Sequence, residues 1–381
     1  MITLIKNAFV YAPEKLGIKD ILIIDGKIHS IENSIDQHGL VDRTWDAEAK
    51  ILTPGFIDQH IHLIGAGGRD GFKSMTPEVD FADLISCGTT TAVGLLGTDG
   101  VGRSLPALYA KTKSLTSQGL NSYMYSGYYG IDSLTLTGSV KTDMMFVDNI
   151  LGCKIAINDF RSSYPTVLEL LRKLNEVKIG GFLGAKKGIL HIHLGGLSEN
   201  FEKLFEIVEK HEFPIEHISP THVARTAELF DQAIRFAKLG GMIDITTGAS
   251  RFTEPHKTVI QAIDSGVKIG QLTFSTDGHA GLTITDEMGN QIGTKKAPTN
   301  ANLIAFKKLV AVAGFSKSDA LQLVTLNPAK NLGLNNKGSI KVGADADFCI
   351  FEENLELTDV FSRGVQFLRD KKILKSNYDI H

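Results

Sequence analysis

Through the middle of the chain, short apolar runs alternate with longer stretches that carry an amphipathic, helix-like period. The apolar runs lie at 56–62, 89–96, 122–129, 153–158, 188–194, 215–223, 242–247 and 271–277. Their length and bounding turn residues predict strands. Between several of them, 166–178, 200–211 and 226–239 repeat apolar positions every three to four residues and predict helices. Eight strands with intervening helices over this span are what a (β/α)8 TIM-like barrel needs. An open doubly wound sheet is the runner-up, although it would usually carry fewer strands. The pattern changes at both ends. Residues 21–24 and 27–31 flank Asp25-Gly26, a strong hairpin signal. A similar texture returns in 344–351 and 360–374, with a turn at 369–372. Two β-rich ends around a differently built middle predict a small discontinuous sheet domain, 1–53 with 342–381, enclosing a barrel domain at 54–341.

Composition narrows the class. Lys+Arg 40 against Asp+Glu 43 is almost balanced, and no basic patch interleaves with aromatics, so neither nucleic acid nor an anionic membrane is an expected partner. No apolar stretch approaches the length of a membrane span, and the first residues lack the long apolar run of a secretory signal. Cys87, Cys153 and Cys349 are too few and too widely spaced for a disulfide framework. The chain reads as a soluble cytoplasmic protein.

Candidate chemistry sits where the predicted strands end. In a barrel that is the catalytic face. The first strand ends in His60-Ile61-His62, and residues i and i+2 of a strand face one way, so both imidazoles can meet one metal ion. The third ends at Tyr128-Tyr129, the fifth holds His191-Ile192-His193, the sixth ends in Thr221-His222 and the eighth in Thr276-Asp277. The fourth carries Lys154 in an otherwise apolar run. Each alone has a bland reading: a packed core histidine, a snorkelling lysine, a turn aspartate. Gathered at the same ends of different strands, they predict a metal site. A buried lysine loses its proton readily, and the neutral amine can take up carbon dioxide to become a carbamate with two ligand oxygens.

With those residues in hand, the chain resembles the amidohydrolase superfamily, and within it the isoaspartyl (β-aspartyl) dipeptidases. The superfamily pattern is carried by PGFIDQHIH at 54–62, Lys154, His193, His222, Asp277, Asn327-Pro328-Ala329 and Gly343-Ala344-Asp345-Ala346-Asp347. The finer pattern includes 62–65, 93–99, 136–140, 159–162, 220–223 and 243–246. The resemblance implies a (β/α)8 barrel with a small discontinuous β-sandwich domain formed by both ends, and two zinc ions per subunit bridged by hydroxide, with His60, His62 and Asp277 on one, His193 and His222 on the other, and carboxylated Lys154 between them. It further implies attack of the hydroxide on an amide carbonyl, Asp277 as proton acceptor and donor, and Tyr129 as donor to the oxyanion. Arg161 and Arg225 match the family's substrate-carboxylate clamps, and a guanidinium fork suits that task. Thr98 and Gly67 would line the same pocket. A homo-oligomer acting on a small-molecule substrate is also implied. Spacing alone does not say whether His191 or His193 is the ligand. The family pattern favours His193, which Leu-Gly follows, and places His191 lower in the barrel.

Two positions depart from the family. Seven residues after the second histidine the dipeptidases have a glutamate that receives the substrate's α-amine. Here Arg69 stands there, with Asp70 next. Four residues after Asp277 the family has a serine. Here it is Gly281, with His279 nearby. The leading expectation is therefore a dinuclear-zinc amidohydrolase cleaving isoaspartyl dipeptides, with Asp70 replacing the glutamate after a loop shift. The alternative is the same chemistry on another amide, an N-acyl amino acid or a cyclic amide, because an arginine cannot bind an ammonium. A non-catalytic barrel is a third reading, disfavoured because all six ligand positions are filled.

Overall fold

The computed structural model describes residues 1–36, 39–67, 69–249 and 252–374, with the side chain of Arg69 outside that description. Eight parallel strands form its centre: β1 (Phe56–Ile61), β2 (Thr89–Gly94), β3 (Asn121–Gly127), β4 (Ile150–Ile157), β5 (Ile189–Leu194), β6 (Ile218–Thr221), β7 (Ile243–Thr246) and β8 (Leu272–Ser275). Each pairs with the next in chain order. The sheet meets itself just beyond the ends of β1 and β8, where the Asp277 amide donates to the His60 carbonyl (3.0 Å) and the His62 amide to Gly278 (2.9 Å). The result is the expected TIM-like (β/α)8 barrel. Every residue of these eight strands is buried except one in β3. Near-continuous apolar runs, rather than strict alternation, are what strands covered on both faces require.

The predicted strand at 215–223 is shorter than its apolar run suggests. A 3-10 turn, Ile215–His217, takes its start, and only Ile218–Thr221 enters the sheet. The run at 271–277 likewise stops at Ser275, because Asp277 adopts a left-handed backbone, φ 54°. The helix predicted at 166–178 extends over Val167–Leu183. It starts at a capping box in which Thr166 Oγ1 accepts from the Glu169 amide and the Glu169 carboxylate accepts from the Thr166 amide. The other two predicted helices span Glu202–Glu209 and Ala227–Lys238.

Strands from both ends of the chain make one further nine-stranded sheet, in which Phe348–Phe351 pairs antiparallel with Ile51–Pro54. It has its own core of Ile5, Val10, Ile21, Leu52, Phe348 and Phe361. A buried charge cluster joins it to the barrel. The Lys337 ammonium lies 2.6 Å from Asp345 and 2.9 Å from Asp347, and the Asp347 carboxylate accepts from Asn121 of β3 at 3.0 Å. No helix among the described residues is long and apolar enough to cross a membrane.

Candidate metal centre

The polar residues at the ends of the strands converge. A slip in register between Asp58 and Ile61 breaks the pairing of β1 with β2, which re-aims the side chains there. His60 Nε2 and His62 Nε2 each lie 3.2 Å from Asp277 Oδ1. These three buried groups are the one set among the described His, Cys, Asp and Glu residues whose donor atoms all fall within 4.8 Å of one another. Asp277 is delivered by its left-handed backbone, and His222 (φ 62°) is delivered in the same way. Such conformations cost roughly 1–3 kcal/mol each for a non-glycine residue and persist at sites where geometry is functional. Gly97 leaves room for His62, since a Cβ there would stand 2.9 Å from the imidazole.

The remaining expected ligands lie beside this set. The His222 ring centroid is 4.8 Å from His60 and 4.6 Å from His193. His222 Nδ1 meets Thr246 Oγ1 at 2.6 Å, which directs Nε2 into the site. His193 lies between Tyr129 Oη (2.8 Å from Nδ1) and Asp159 (3.0 Å from Nε2). Lys154 is fully buried, its Nζ 3.4 Å from His60 Nδ1. His191 meets the same ring atom, its Nε2 2.8 Å from His60 Nδ1.

Burial sets the protonation states. It lowers Lys154 to about 7 and His60 to about 3, the nearby Lys154 adding to the latter. Burial also holds His193 and His222 well below the ordinary imidazole range, the Arg225 guanidinium adding to both. Burial alone would raise Asp277, but the facing imidazoles of His222, His60 and His62 hold it well below the usual carboxylate range. Neutral imidazoles, a carboxylate and an amine that sheds its proton near neutrality form the donor set that zinc or a similar borderline ion takes. The residues therefore fit a metal.

The protonation pattern has a consequence for stability. Below pH ~6.5 the unfolded chain protonates imidazoles that the fold keeps neutral, so the unfolded state binds more protons and stability falls with pH. His60, His191, His193 and His222 act in this sense. Asp58, pushed up by burial to about 7, and Asp244, also raised by burial, act in the opposite sense. With His279 also lowered by burial, the histidines outnumber the two carboxylates, so the net effect is a loss of stability as the pH falls. Melting of the metal-free protein is expected to drop steeply between pH 6.5 and 5. A flat profile there would show that the imidazoles are not held neutral.

A small cavity opens over these groups, walled by His62, Tyr129, His193 and Asp277 and by Thr98, Gly67 and Gly281. Arg161 and Arg225 form its far side. Arg161 is neutralised by Asp159 (2.5 Å) and reaches Thr98 at 3.5 Å. Arg225 makes no hydrogen bond or ion pair among the described residues. Asp70 does not line the cavity. Its carboxylate is paired with Lys73 at 2.9 Å, on the short strand Arg69–Phe72. Where the Arg69 side chain points falls outside the described residues. His279 is pinned beneath the cavity, its Nδ1 2.8 Å from the Pro77 carbonyl.

Sequence reasoning passed over Ser74 and Thr294, which also line the cavity. Thr294 comes from a hairpin, Gly281–Thr285 with Gln291–Lys296, whose Gly289-Asn290 turn and flanking alternation were the available signal. Asp159 entered sequence reasoning only within the 159–162 run, without a role, whereas the structure has it hold both Arg161 and His193.

Comparison with known proteins agrees with this geometry. Residues 185–372 match the amidohydrolase family. Among solved structures, the chain is similar to the β-aspartyl dipeptidase of Fervidobacterium islandicum AW-1 in complex with a β-Asp-Leu dipeptide, at 38% identity over the whole of both chains and a TM-score of 0.92. A second structure of the Fervidobacterium islandicum AW-1 enzyme matches at 36% identity, again over all of both chains, with the same TM-score of 0.92. Among curated proteins, a dihydroorotase of Ligilactobacillus salivarius is 23% identical, the match covering 96% of this chain and 93% of that protein.

Proposed function

The chain belongs to the amidohydrolase superfamily, in its isoaspartyl dipeptidase family, and is a hydrolase acting on C–N bonds; from that premise we propose that it cleaves the β-aspartyl amide of isoaspartyl dipeptides with two zinc ions. The observation that carries the proposal is that His62, Asp277 and His193, backed by His60, His222 and Lys154, face Arg225, a guanidinium unpaired among the described residues, across one small cavity. His60, His62 and Asp277 would hold one ion and His193 and His222 the other, and Lys154, as its carbamate, would offer an oxygen to each. When bound, zinc polarises a carbonyl and brings the ionisation of water down toward neutrality.

The chain's own groups do the rest. Arg225 and Arg161 take carboxylates of the substrate, which fixes the scissile amide over the strand ends. Tyr129, its phenol pushed up by burial to about 12, keeps its proton through the working range and donates it as a hydrogen bond to the developing oxyanion. Asp277, held ionised, takes the proton of the attacking water and returns it to the leaving amine.

A second reading, hydrolysis of an N-acyl amino acid or a cyclic amide, draws support from Asp70. With that carboxylate paired to Lys73, Asp277 is the one acid among the described lining residues, and no other is at hand for a free α-amine. Steady-state kinetics of the zinc-loaded enzyme on β-Asp-Leu, its N-acetyl form and α-Asp-Leu separate the two. The proposal expects turnover of β-Asp-Leu alone. Preference for the acetylated form would shift the assignment to the second reading, and inactivity on all three would discard both dipeptide substrates.

A further inference from the structure

Beneath the strand ends runs a chain of buried polar groups that none of the assigned roles uses. Asp244 Oδ1 accepts from the Gln59 side-chain amide at 2.7 Å. That amide nitrogen also donates to Thr273 Oγ1 at 2.7 Å, so both its protons are spent and Gln59 Oε1 is left to accept. It accepts from Asn331 Nδ2 at 2.9 Å, and the other Asn331 proton goes to Ser219 Oγ at 2.9 Å. Ser219 Oγ keeps a second lone pair, and His191 Nδ1 lies 3.0 Å from it. His191 Nε2 then faces His60 Nδ1 at 2.8 Å. Tyr125 stacks on the His191 ring, with centroids 4.9 Å apart and planes 14° apart, and its hydroxyl is tied to the Gln59 carbonyl at 3.1 Å. His191 and Tyr125 are fully buried, so neither ring has solvent to turn into.

A histidine that gives Nε2 to a metal must carry its proton on Nδ1, and that proton needs an acceptor. For His60 the near acceptor is His191 Nε2. We propose that His191, oriented by Ser219 and stacked on Tyr125, is a positioning residue that holds His60 in the Nδ1-protonated tautomer and so presents its Nε2 to the metal. The proton then runs from His60 Nδ1 to His191 Nε2, and the His191 Nδ1–H to Ser219 Oγ. This assignment rests on the metal role of His60 proposed above.

The test is zinc affinity, measured by competition with a chromophoric chelator, for the unsubstituted protein and for His191→Phe and His191→Gln. Phenylalanine keeps the stack on Tyr125 but offers no acceptor. Glutamine places an oxygen near the position of Nε2. Loss of such a partner weakens metal binding by about 10–100-fold, so that range is expected for His191→Phe, with His191→Gln within about threefold of the unsubstituted protein. The visible spectrum of the Co2+-loaded protein should shift in His191→Phe and be retained in His191→Gln. Unchanged affinity in His191→Phe, or equal losses in both variants, overturns the proposal, because a packing role would not distinguish an acceptor from a ring. If His191→Phe does not fold, Ser219→Ala serves instead; weakened zinc binding supports the assignment and unchanged binding overturns it. An unsubstituted protein that holds no zinc overturns the metal reading and this inference with it.

Discussion

Replacing Lys154 by alanine is expected to strip the site of metal and lower activity by three orders of magnitude or more, on the order of 4 kcal/mol or above in transition-state stabilisation. The reasoning begins with burial. Lys154 is fully enclosed, and desolvation lowers its ammonium to about 7, so a large share of the amine is neutral at working pH. A neutral amine adds to carbon dioxide through a new N–C bond and releases one proton, which turns a costly buried cation into an anionic ligand. Alanine removes the amine and leaves a hole of its length. A short carboxylic acid such as propionate should enter that hole and restore part of both metal content and activity. Lys154→Met separates chemistry from packing: it fills the volume, should lose metal equally, and should resist rescue. Full activity in either variant would end the bridging role.

Arg225→Met should move activity and stability in opposite directions. Among the described residues the guanidinium has no hydrogen-bonded partner in the free protein, and burial lowers it from its ordinary value. Holding an unpaired cation in that wall costs stability, and substrate relieves the cost by supplying the anion. Removing one side of such a charge pair typically costs about 2–5 kcal/mol of binding, so kcat/KM on β-Asp-Leu should fall by about 30- to 5,000-fold, with the larger share in KM. The unliganded variant should be at least as stable as the parent, since the half-buried guanidinium has no partner among the described residues to lose. Parallel loss of activity and melting temperature would instead assign Arg225 a structural role.

The barrel and the convergence of its polar residues were legible because both are local in sequence. Apolar runs between turn residues mark strands, and a histidine or aspartate closing such a run marks the catalytic end whichever helices follow. The limits are also physical. Alternation puts His191 and His193 on one side of β5, and only distance separates them: His193 reaches Tyr129 and Asp159, whereas His191 reaches Ser219 and His60. The Asp70 question was equally out of reach of spacing, because it turns on an ion pair with Lys73 three residues away. The strand beginning at 215 was overextended because Ile215 is apolar yet sits in a 3-10 turn, where apolar content carries no period to distinguish it.

The sheet shared by the two ends of the chain has a consequence for biosynthesis. Ile51–Pro54 finds its antiparallel neighbour, Phe348–Phe351, only after nearly three hundred intervening residues have been made. On the ribosome the first hairpins therefore emerge early with one edge unpaired, and an open edge is a template for wrong partners. Lys337, which ties Asp345 and Asp347 together beside Asn121, is translated just before that missing strand arrives. Early folding of the barrel would leave the nascent N-terminal strands waiting, and a slow or stalled synthesis of the last forty residues should raise aggregation more than a stall inside the barrel does.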